Sequence, residues 1–231
     1  DYSKAIELNP EFALAYNNRG NQWDNKGEHE KAIADLTKAI KLNNNLDATV
    51  LAYYNRGRVL MDNGEDDKAI ADFTVAIQID PQYASAYLNR GIARKHKGEY
   101  DKALSDYSKA IELSSSTQTT ANAYFNRGDV RYALGQFDNA AKDYQRALDL
   151  NPYPYTAIML YLSRRRSGIS QDKAQQELAK YVDKHVKNDK WISPVFQLFL
   201  GALSAEFTLA KAAAPDDPEA DRAQKCEAYF Y

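Results

Sequence analysis

The stretch YLNRGIARKHKGEYDKALSDYSKAIEL, residues 87–113, places a glycine, Gly91, inside an otherwise strong helical pattern. A glycine in the middle of a helix costs about 0.5–1 kcal/mol relative to alanine. The motif around it, Tyr-x-Asn-Arg-Gly, occurs four times, at residues 16–20, 53–57, 87–91 and 124–128. Successive motif glycines are 37, 34 and 37 residues apart. Self-similarity at this period predicts an array of helical repeats.

Each repeat is predicted to contain two helices. The first runs through the motif and ends at a second glycine, which adopts positive φ without strain. These second glycines are Gly27, Gly64, Gly98 and Gly135. The second helix has apolar residues three and four apart, the spacing of a helix with one buried face. In the third repeat they are Ala103, Leu104, Tyr107, Ala110 and Ile111. An Asn-Pro or Asp-Pro pair closes the unit at Pro10, Pro81 and Pro152.

The motif glycine is explained by packing between the two helices of a repeat. With Ala103 and Ala110 opposite it, Gly91 allows two backbones to approach closely. A larger side chain there is expected to overpack the interface by about 1–3 kcal/mol. That exceeds the cost of a glycine within the helix, so the balance favours glycine.

This pattern resembles the tetratricopeptide repeat, whose signature is W-x2-L-G-x2-Y followed by A-x3-F and P. The third repeat matches it at Tyr87, Arg90, Gly91, Arg94, Ala103 and Tyr107. The second matches it at Tyr53, Arg56, Gly57, Leu60, Ala69, Phe73 and Pro81. The resemblance covers residues 1–152 and implies an all-α, right-handed α-solenoid of stacked helical hairpins.

Two departures from the signature recur in every repeat. Arginine replaces the leucine before the glycine, at Arg19, Arg56, Arg90 and Arg127. Aspartate precedes the aromatic residue or leucine of the second helix, at Asp35, Asp72, Asp106 and Asp143, and again at Asp1. Because buried charges are normally paired, we expect Arg–Asp pairs between neighbouring helices. The linkers after the first and third repeats are three residues longer, so we expect most of an added turn before the next helix.

The sequence predicts the following division of the chain. Residues 1–12 are the second helix of a truncated repeat; full units cover about 13–46, 50–83, 84–117 and 121–154; residues 153–187 are a degenerate helix pair that caps the array; residues 188–231 are a truncated C-terminal helical segment. Both ends of the chain read as cut from a longer protein. The C-terminal order NPYPYTAIMLYLSRRR, KWISPVFQLFLG and CEAYFY also resembles NlpI-type bacterial TPR lipoproteins. That resemblance implies a periplasmic or membrane-associated setting.

Composition excludes several classes of function. A net charge of −2 and a pI near 6.0 lack the excess of positive charge that is typical of nucleic-acid-binding proteins. No apolar run is long enough to span a bilayer. The three histidines have no metal-ligand spacing, no catalytic motif occurs, and Cys226 has no histidine nearby in sequence. We therefore expect no cofactor, no metal and no enzyme activity. The run Arg164–Arg166 is either an anion site or a solvated helix end.

A candidate binding surface follows from helix geometry. Residues two apart on a helix point about 200° from each other, so the asparagine two before each motif glycine faces away from the partner helix. These asparagines are Asn18, Asn55, Asn89 and Asn126. Their neighbours by helical spacing are Asn17, Asn21, Tyr54, Arg58, Met61, Leu88, Ile92, Lys95, Phe125, Asp129 and Tyr132. In the tetratricopeptide repeat family this face is the concave groove, and a similar asparagine ladder in its sugar-transferase branch holds peptide backbone.

Three functions remain open at this point. The first is a non-catalytic adaptor that binds a peptide through the asparagine ladder, since a primary amide matches a peptide bond. The second is a self-associating scaffold, which predicts a homodimer. The third is the targeting arm of a larger enzyme. A clamp for chaperone carboxylates is excluded, because Asn17, Ser85 and Asn89 stand where that clamp needs basic residues.

Overall fold

Helix follows helix through the part of the chain that the computed structural model describes, residues 2–42, 45–185, 196, 199 and 200. The chain divides into two compact units, Asp1–Leu134 and Gly135–Tyr231. Unit 1 contains α1 (Tyr2–Leu8), α2 (Ala13–Asp24), α3 (His29–Leu42), α4 (Leu46–Asp62), α5 (Asp66–Ile79), α6 (Ala84–His96), α7 (Tyr100–Leu113) and α8 (Thr117–Ala133). Unit 2 contains α9 (Phe137–Leu150), α10 (Pro154–Arg166) and α11 (Gln171–His185). The predicted all-α solenoid of helical hairpins is confirmed.

The second glycine of each repeat ends its first helix, as predicted. Gly27, Gly64, Gly98 and Gly135 have φ of +76°, +76°, +73° and +73°. In the third repeat the Glu99 amide donates to the Arg94 carbonyl at 2.9 Å across the glycine, which closes the helix end. Gly168, with φ of +93°, follows α10 and its C-cap, Ser167, in the same way.

The motif glycine makes room for a side chain of the second helix. A Cβ atom placed on Gly91 would lie 2.6 Å from Cε1 of Tyr107, and one on Gly57 would lie 2.8 Å from Cε1 of Phe73. The predicted overpacking is therefore explained chiefly by a ring seated on the glycine, a contact that the sequence prediction had assigned to the backbone. Ala103 and Ala110 are fully buried beside that ring.

The longer linkers add one turn to the helix that follows them. Helices α4 and α8 have 17 residues each, whereas α2 has 12 and α6 has 13. The added turn begins with a side-chain cap: Asn45 accepts a hydrogen bond from the Ala48 amide, and Ser116 accepts one from the Thr119 amide. The predicted added turn is present, and it is the first turn of the helix itself and not a separate turn before it.

Three of the predicted Arg–Asp pairs are present, each joining the two helices of one repeat. In all three, Nε and Nη2 of the arginine donate to the two carboxylate oxygens at 2.7–3.0 Å. The pairs are Arg19 with Asp35, Arg56 with Asp72, and Arg90 with Asp106. The aspartates are buried, so this two-bond geometry compensates for lost solvation. The pair of Arg127 with Asp143 stays a prediction.

The motif arginines also reach the preceding repeat. Nη1 of each donates to a hydroxyl on the second helix before it, at 3.0–3.3 Å. The acceptors are Ser3 for Arg19, Thr37 for Arg56, Thr74 for Arg90 and Ser108 for Arg127. Each guanidinium also lies over the ring of the motif tyrosine, 5.3–5.7 Å from its centre. The first three of these arginines therefore each contact a carboxylate, a hydroxyl and a ring at once.

Unit 2 keeps part of this arrangement. Arg164 forms an ion pair with Glu177, and its Nη2 donates to the side-chain oxygen of Gln145 at 3.1 Å. Burial lowers the pKa of Arg164. Of the two interpretations of the basic run, neither describes Arg164, which is an internal ion-pair partner. Arg165 donates to the Ile169 carbonyl at 2.8 Å, where it caps the helix end.

The predicted C-terminal helical segment, residues 188–231, and Cys226 lie outside the described residues except at positions 196, 199 and 200. There the Leu200 amide donates to the Phe196 carbonyl, one helical turn back. Phe196 is fully buried and packs on Tyr181, and Phe199 packs on Tyr161. This turn covers part of the α10–α11 pair.

Candidate functional site

The candidate site is the face of unit 1 formed by the first helices α2, α4, α6 and α8, here named the first-helix face. Neighbouring first helices contact each other directly, α2 with α4, α4 with α6, and α6 with α8. The predicted site residues all belong to these four helices: Asn17, Asn18, Asn21, Tyr54, Asn55, Arg58, Met61, Leu88, Asn89, Ile92, Lys95, Phe125, Asn126, Asp129 and Tyr132. Hydrogen bonds between successive repeats bring several of them together.

Two of the predicted asparagines are buried. Asn17 is 2% exposed and Asn55 is 6% exposed. The Asn55 amide donates to Oδ1 of Asn17 at 2.9 Å, and the Asn17 amide donates to Oδ1 of Asn18 at 3.2 Å. The three side chains form a chain of amides from the second repeat to the first. Asn17 and Asn55 thus lie between helices, and Asn18 is half-buried at the end of the chain.

The third-repeat asparagine is bound to a tyrosine of the second repeat. The Asn89 amide donates to the Tyr54 hydroxyl at 2.9 Å. The Tyr54 ring packs against Tyr83, with centroids 4.9 Å apart, and against Phe73 at 6.0 Å. Burial raises the pKa of Tyr54, and the charge of nearby Arg58 opposes that shift. Tyr54 is therefore a neutral hydrogen-bonding group at ordinary pH.

The fourth-repeat asparagine is held by charge. Lys95 donates to Oδ1 of Asn126 at 3.1 Å and pairs with Asp129 at 3.3 Å. The Asn126 amide donates to the Asn122 carbonyl one turn back. At the position of Asn17 and Tyr54, the third repeat has Leu88, which is buried against Tyr107 and cannot accept a hydrogen bond. This explains why Asn126 binds Lys95 where Asn55 and Asn89 bind the preceding repeat's Asn17 and Tyr54.

Ion pairs on this face join neighbouring repeats, and the order of acidic and basic residue is reversed between the two pairs. Asp24, whose side chain is 9% exposed, lies 3.8 Å from Arg58 and 3.1 Å from Nδ1 of His29. Lys95 takes the place of Asp24 two repeats later, with Asp129 in the place of Arg58. The first-helix face therefore has no excess of either charge along these pairs.

Two contributors to this face were missed by the sequence prediction. Asp24 follows Asn17 and Asn21 at helical spacing of seven and three, a signal that was available. Tyr83 lies in a linker, where periodicity gives no indication of its contact with Tyr54. Arg164 was also missed as a motif arginine, although it stands 37 residues after Arg127, the spacing of the longer repeats.

Comparison with known proteins identifies the repeat family. Models of the tetratricopeptide repeat match residues 13–46, 57–98 and 82–152, together more than half of the chain. The chain belongs to the tetratricopeptide repeat (TPR) family. No curated protein sequence matches it.

Solved structures share the TPR fold. MamA is 25% identical with a TM-score of 0.63, over 72% of this chain and 94% of MamA. YrrB, described as a TPR protein with an unusual peptide-binding site, is 24% identical with a TM-score of 0.65, over 87% and 97%. PilF of Pseudomonas aeruginosa is 16% identical with a TM-score of 0.70, over 92% and 96%.

TPR units are protein-interaction modules, and this is the general function that the family assigns to the chain. Among the described residues, no group of three or more His, Cys, Asp or Glu side chains is placed to hold a metal ion. His29 binds Asp24, His96 binds Asp66, and His185 stacks on Tyr181. Within the same residues, no helix combines the length and apolar character needed to cross a membrane.

Proposed function

We propose that the TPR units of unit 1 form a non-catalytic adaptor that binds a peptide segment of a partner protein along the first-helix face. The observation that carries this proposal is the cross-repeat bonding of the asparagines. Asn89 is held by Tyr54, and Asn126 is held by Lys95. Amides fixed in this way lose little side-chain entropy when they bind a ligand.

The half-buried asparagines, Asn18, Asn89 and Asn126, contact the peptide main chain in this proposal. A primary amide has two donor hydrogens and an oxygen that accepts twice, which is more than the observed bonds use. The buried pair, Asn17 and Asn55, sets the spacing of α2 and α4. Each bond to the peptide contributes about 0.5–1.5 kcal/mol net, so the main-chain contacts alone give modest affinity.

The remaining side chains favour a peptide of mixed character. The ion pairs of Arg58 and Lys95 leave little unbalanced charge, and Phe125 adds a half-buried aromatic surface. A highly charged ligand is therefore disfavoured relative to an extended segment with some apolar residues. The peptide-binding site attributed to YrrB supports peptide binding in general by analogy of fold.

The test is capture of partners by the immobilised chain. The binding variant is Asn18→Ala/Asn89→Ala/Asn126→Ala. A matched control, Lys38→Ala/Gln78→Ala/Glu112→Ala, changes three exposed residues of the second helices and leaves the net charge unchanged. Circular dichroism melts verify that both variants remain folded.

We expect the wild type and the control to capture the same partner protein. The asparagine variant should capture it at least about tenfold less well, because it loses two to three net hydrogen bonds to the bound segment. Equal capture by all three proteins would overturn the proposed role of the first-helix face.

A further inference from the structure

An open cleft of about 400 Å³ lies at the start of α4, next to the first-helix face. Its apolar lining is Leu46, Val50, Leu51, Ile79 and Tyr83, and it also contains Asp47 and Asp80. Tyr83 belongs to both surfaces, because its ring packs on Tyr54 of the first-helix face. A peptide on the first-helix face can therefore continue into this cleft.

The cleft exposes two leucines. Leu46 is 63% exposed and Leu51 is 37% exposed. A single exposed leucine needs no explanation, but these two share one concavity with Val50, Ile79 and Tyr83. A side chain that entered it would be surrounded by apolar groups.

The other extended repeat shows that the fold does not require these leucines. Counted from the motif glycine, Leu46 and Leu51 of α4 correspond to Thr117 and Asn122 of α8. Both helices have 17 residues and a capped first turn, so the added turn forms with either set of side chains. The exposed apolar surface is therefore a property of this site and not of the added turn.

The rim of the cleft is acidic. Asp47 is exposed in the first turn of α4, and Asp80 accepts a hydrogen bond from the Gln82 amide at 2.9 Å. In the described part of the chain, no ion pair includes either carboxylate. Two carboxylates beside an apolar pocket complement an apolar side chain that has a basic neighbour, and they repel one that has an acidic neighbour.

We propose that this cleft binds an apolar side chain, leucine-like in size, flanked by lysine or arginine in the partner's peptide. The inference deepens the proposed function and rests on it: the first-helix face holds the main chain, and the cleft selects the side chain. Specificity then comes from the cleft, because amides that bind peptide backbone do not distinguish one sequence from another.

The test uses short fluorescent peptides with a central leucine flanked by lysine, by serine or by glutamate, with binding followed by anisotropy. One variant is Leu46→Thr/Leu51→Asn, which installs the residues of α8. The other is Asp47→Gln/Asp80→Asn, again the residues at the corresponding positions of the next extended repeat. The Asp80→Asn change keeps a side-chain oxygen that can accept from the Gln82 amide. The Asn18→Ala/Asn89→Ala/Asn126→Ala variant is measured in parallel.

We expect the wild type to bind the lysine peptide about tenfold more tightly than the glutamate peptide, with the difference shrinking as salt is added. The leucine variant should lose about tenfold in affinity for the lysine peptide, and the aspartate variant should bind the three peptides equally. The proposed role of the cleft would be overturned if the wild type bound none of the peptides, or if the leucine variant bound the lysine peptide as tightly as the wild type does.

Two further outcomes separate the cleft from the first-helix face. If the asparagine variant loses affinity while the leucine variant does not, the peptide-binding role of the first-helix face is supported and the role proposed for the cleft is wrong. If the leucine variant alone loses affinity, the cleft binds peptide and the proposed role of the asparagines fails. Light scattering tests whether a second copy of the chain occupies the cleft. A wild-type dimer that becomes monomeric in the leucine variant would assign the cleft to that second copy and overturn the peptide proposal.

Discussion

The second and third repeats of unit 1 differ in how many arginines pair with the buried aspartate of the second helix. Each buries an aspartate, Asp72 or Asp106, against its motif arginine, Arg56 or Arg90. In the third repeat Arg94 also donates to Asp106, at 2.7 Å. In the second repeat the corresponding residue is Leu60, and within the described residues Asp72 has only Arg56 as a charged partner. The comparison shows that one fold position tolerates either one cation or two.

The largest predicted effect comes from removing the single cation. Arg56→Met leaves Asp72 buried without a charge partner, which is expected to cost about 3–5 kcal/mol in the free energy of unfolding. Arg90→Met leaves Arg94 on Asp106 and should cost about half as much. Urea denaturation followed by circular dichroism measures both.

The control for this pair is the double variant Arg56→Met/Asp72→Leu. It removes both charges and should recover most of the lost stability, since a buried ion pair and a well-packed apolar pair are often similar in free energy. Equal losses in Arg56→Met and Arg90→Met would contradict the role given to Arg94.

A second prediction concerns the ring seated on each motif glycine. The added Cβ of Gly91→Ala falls 2.6 Å from Tyr107, and that of Gly57→Ala falls 2.8 Å from Phe73. Overpacking of about 1–3 kcal/mol outweighs the helix propensity of alanine, about 0.5–1 kcal/mol, so both variants should be destabilised, Gly91→Ala more. Thermal melts at equal protein concentration measure the difference.

Gly98→Ala is the comparison for the glycine variants. No atom lies within 4 Å of its added Cβ, and the residue has φ of +73°, so only backbone strain opposes the change. Its expected cost is about 1–2 kcal/mol. A Gly91→Ala protein as stable as the wild type would show that the ring moves aside freely.

The smallest predicted effect is a gain in stability. Tyr107 is fully buried, and none of the described residues gives its hydroxyl a hydrogen bond. Burial raises the pKa of Tyr107, so the hydroxyl stays protonated. Tyr107→Phe copies Phe73 of the second repeat and removes the unpaired group, which should raise the free energy of unfolding by about 1 kcal/mol. The same urea titration measures it, and the reverse change, Phe73→Tyr, should lower stability.

Much of the fold could be predicted because its signals recur. The positions of Arg56 and Asp72 repeat at fixed spacing, so their pairing followed from the need to neutralise buried charge. The added turn of α4 followed from linker length alone. The ring on Gly91 was not predicted, because sequence spacing fixes which helix lies opposite but not which side chain of it reaches the glycine.

The binding face was harder to predict for a similar reason. Helical spacing placed Asn17, Asn18 and Asn55 on one face, and that placement did not reveal the bond from Asn55 to Asn17. That bond depends on the offset between α2 and α4, which no single repeat encodes. The adjacent asparagines at 17 and 18 occur in the first repeat only, and this irregularity was the available hint.

Each motif arginine reaches a hydroxyl on the second helix of the repeat before it, at Ser3, Thr37, Thr74 or Ser108. Each repeat therefore carries both an arginine that reaches backward and a hydroxyl that receives the arginine of the next repeat, so this contact forms at every junction in unit 1. Gene duplication or deletion of whole units then keeps this contact, while the contacts between first helices, which differ from one junction to the next, have to adapt. Both groups of the arginine–hydroxyl contact are encoded within each unit and are copied with it.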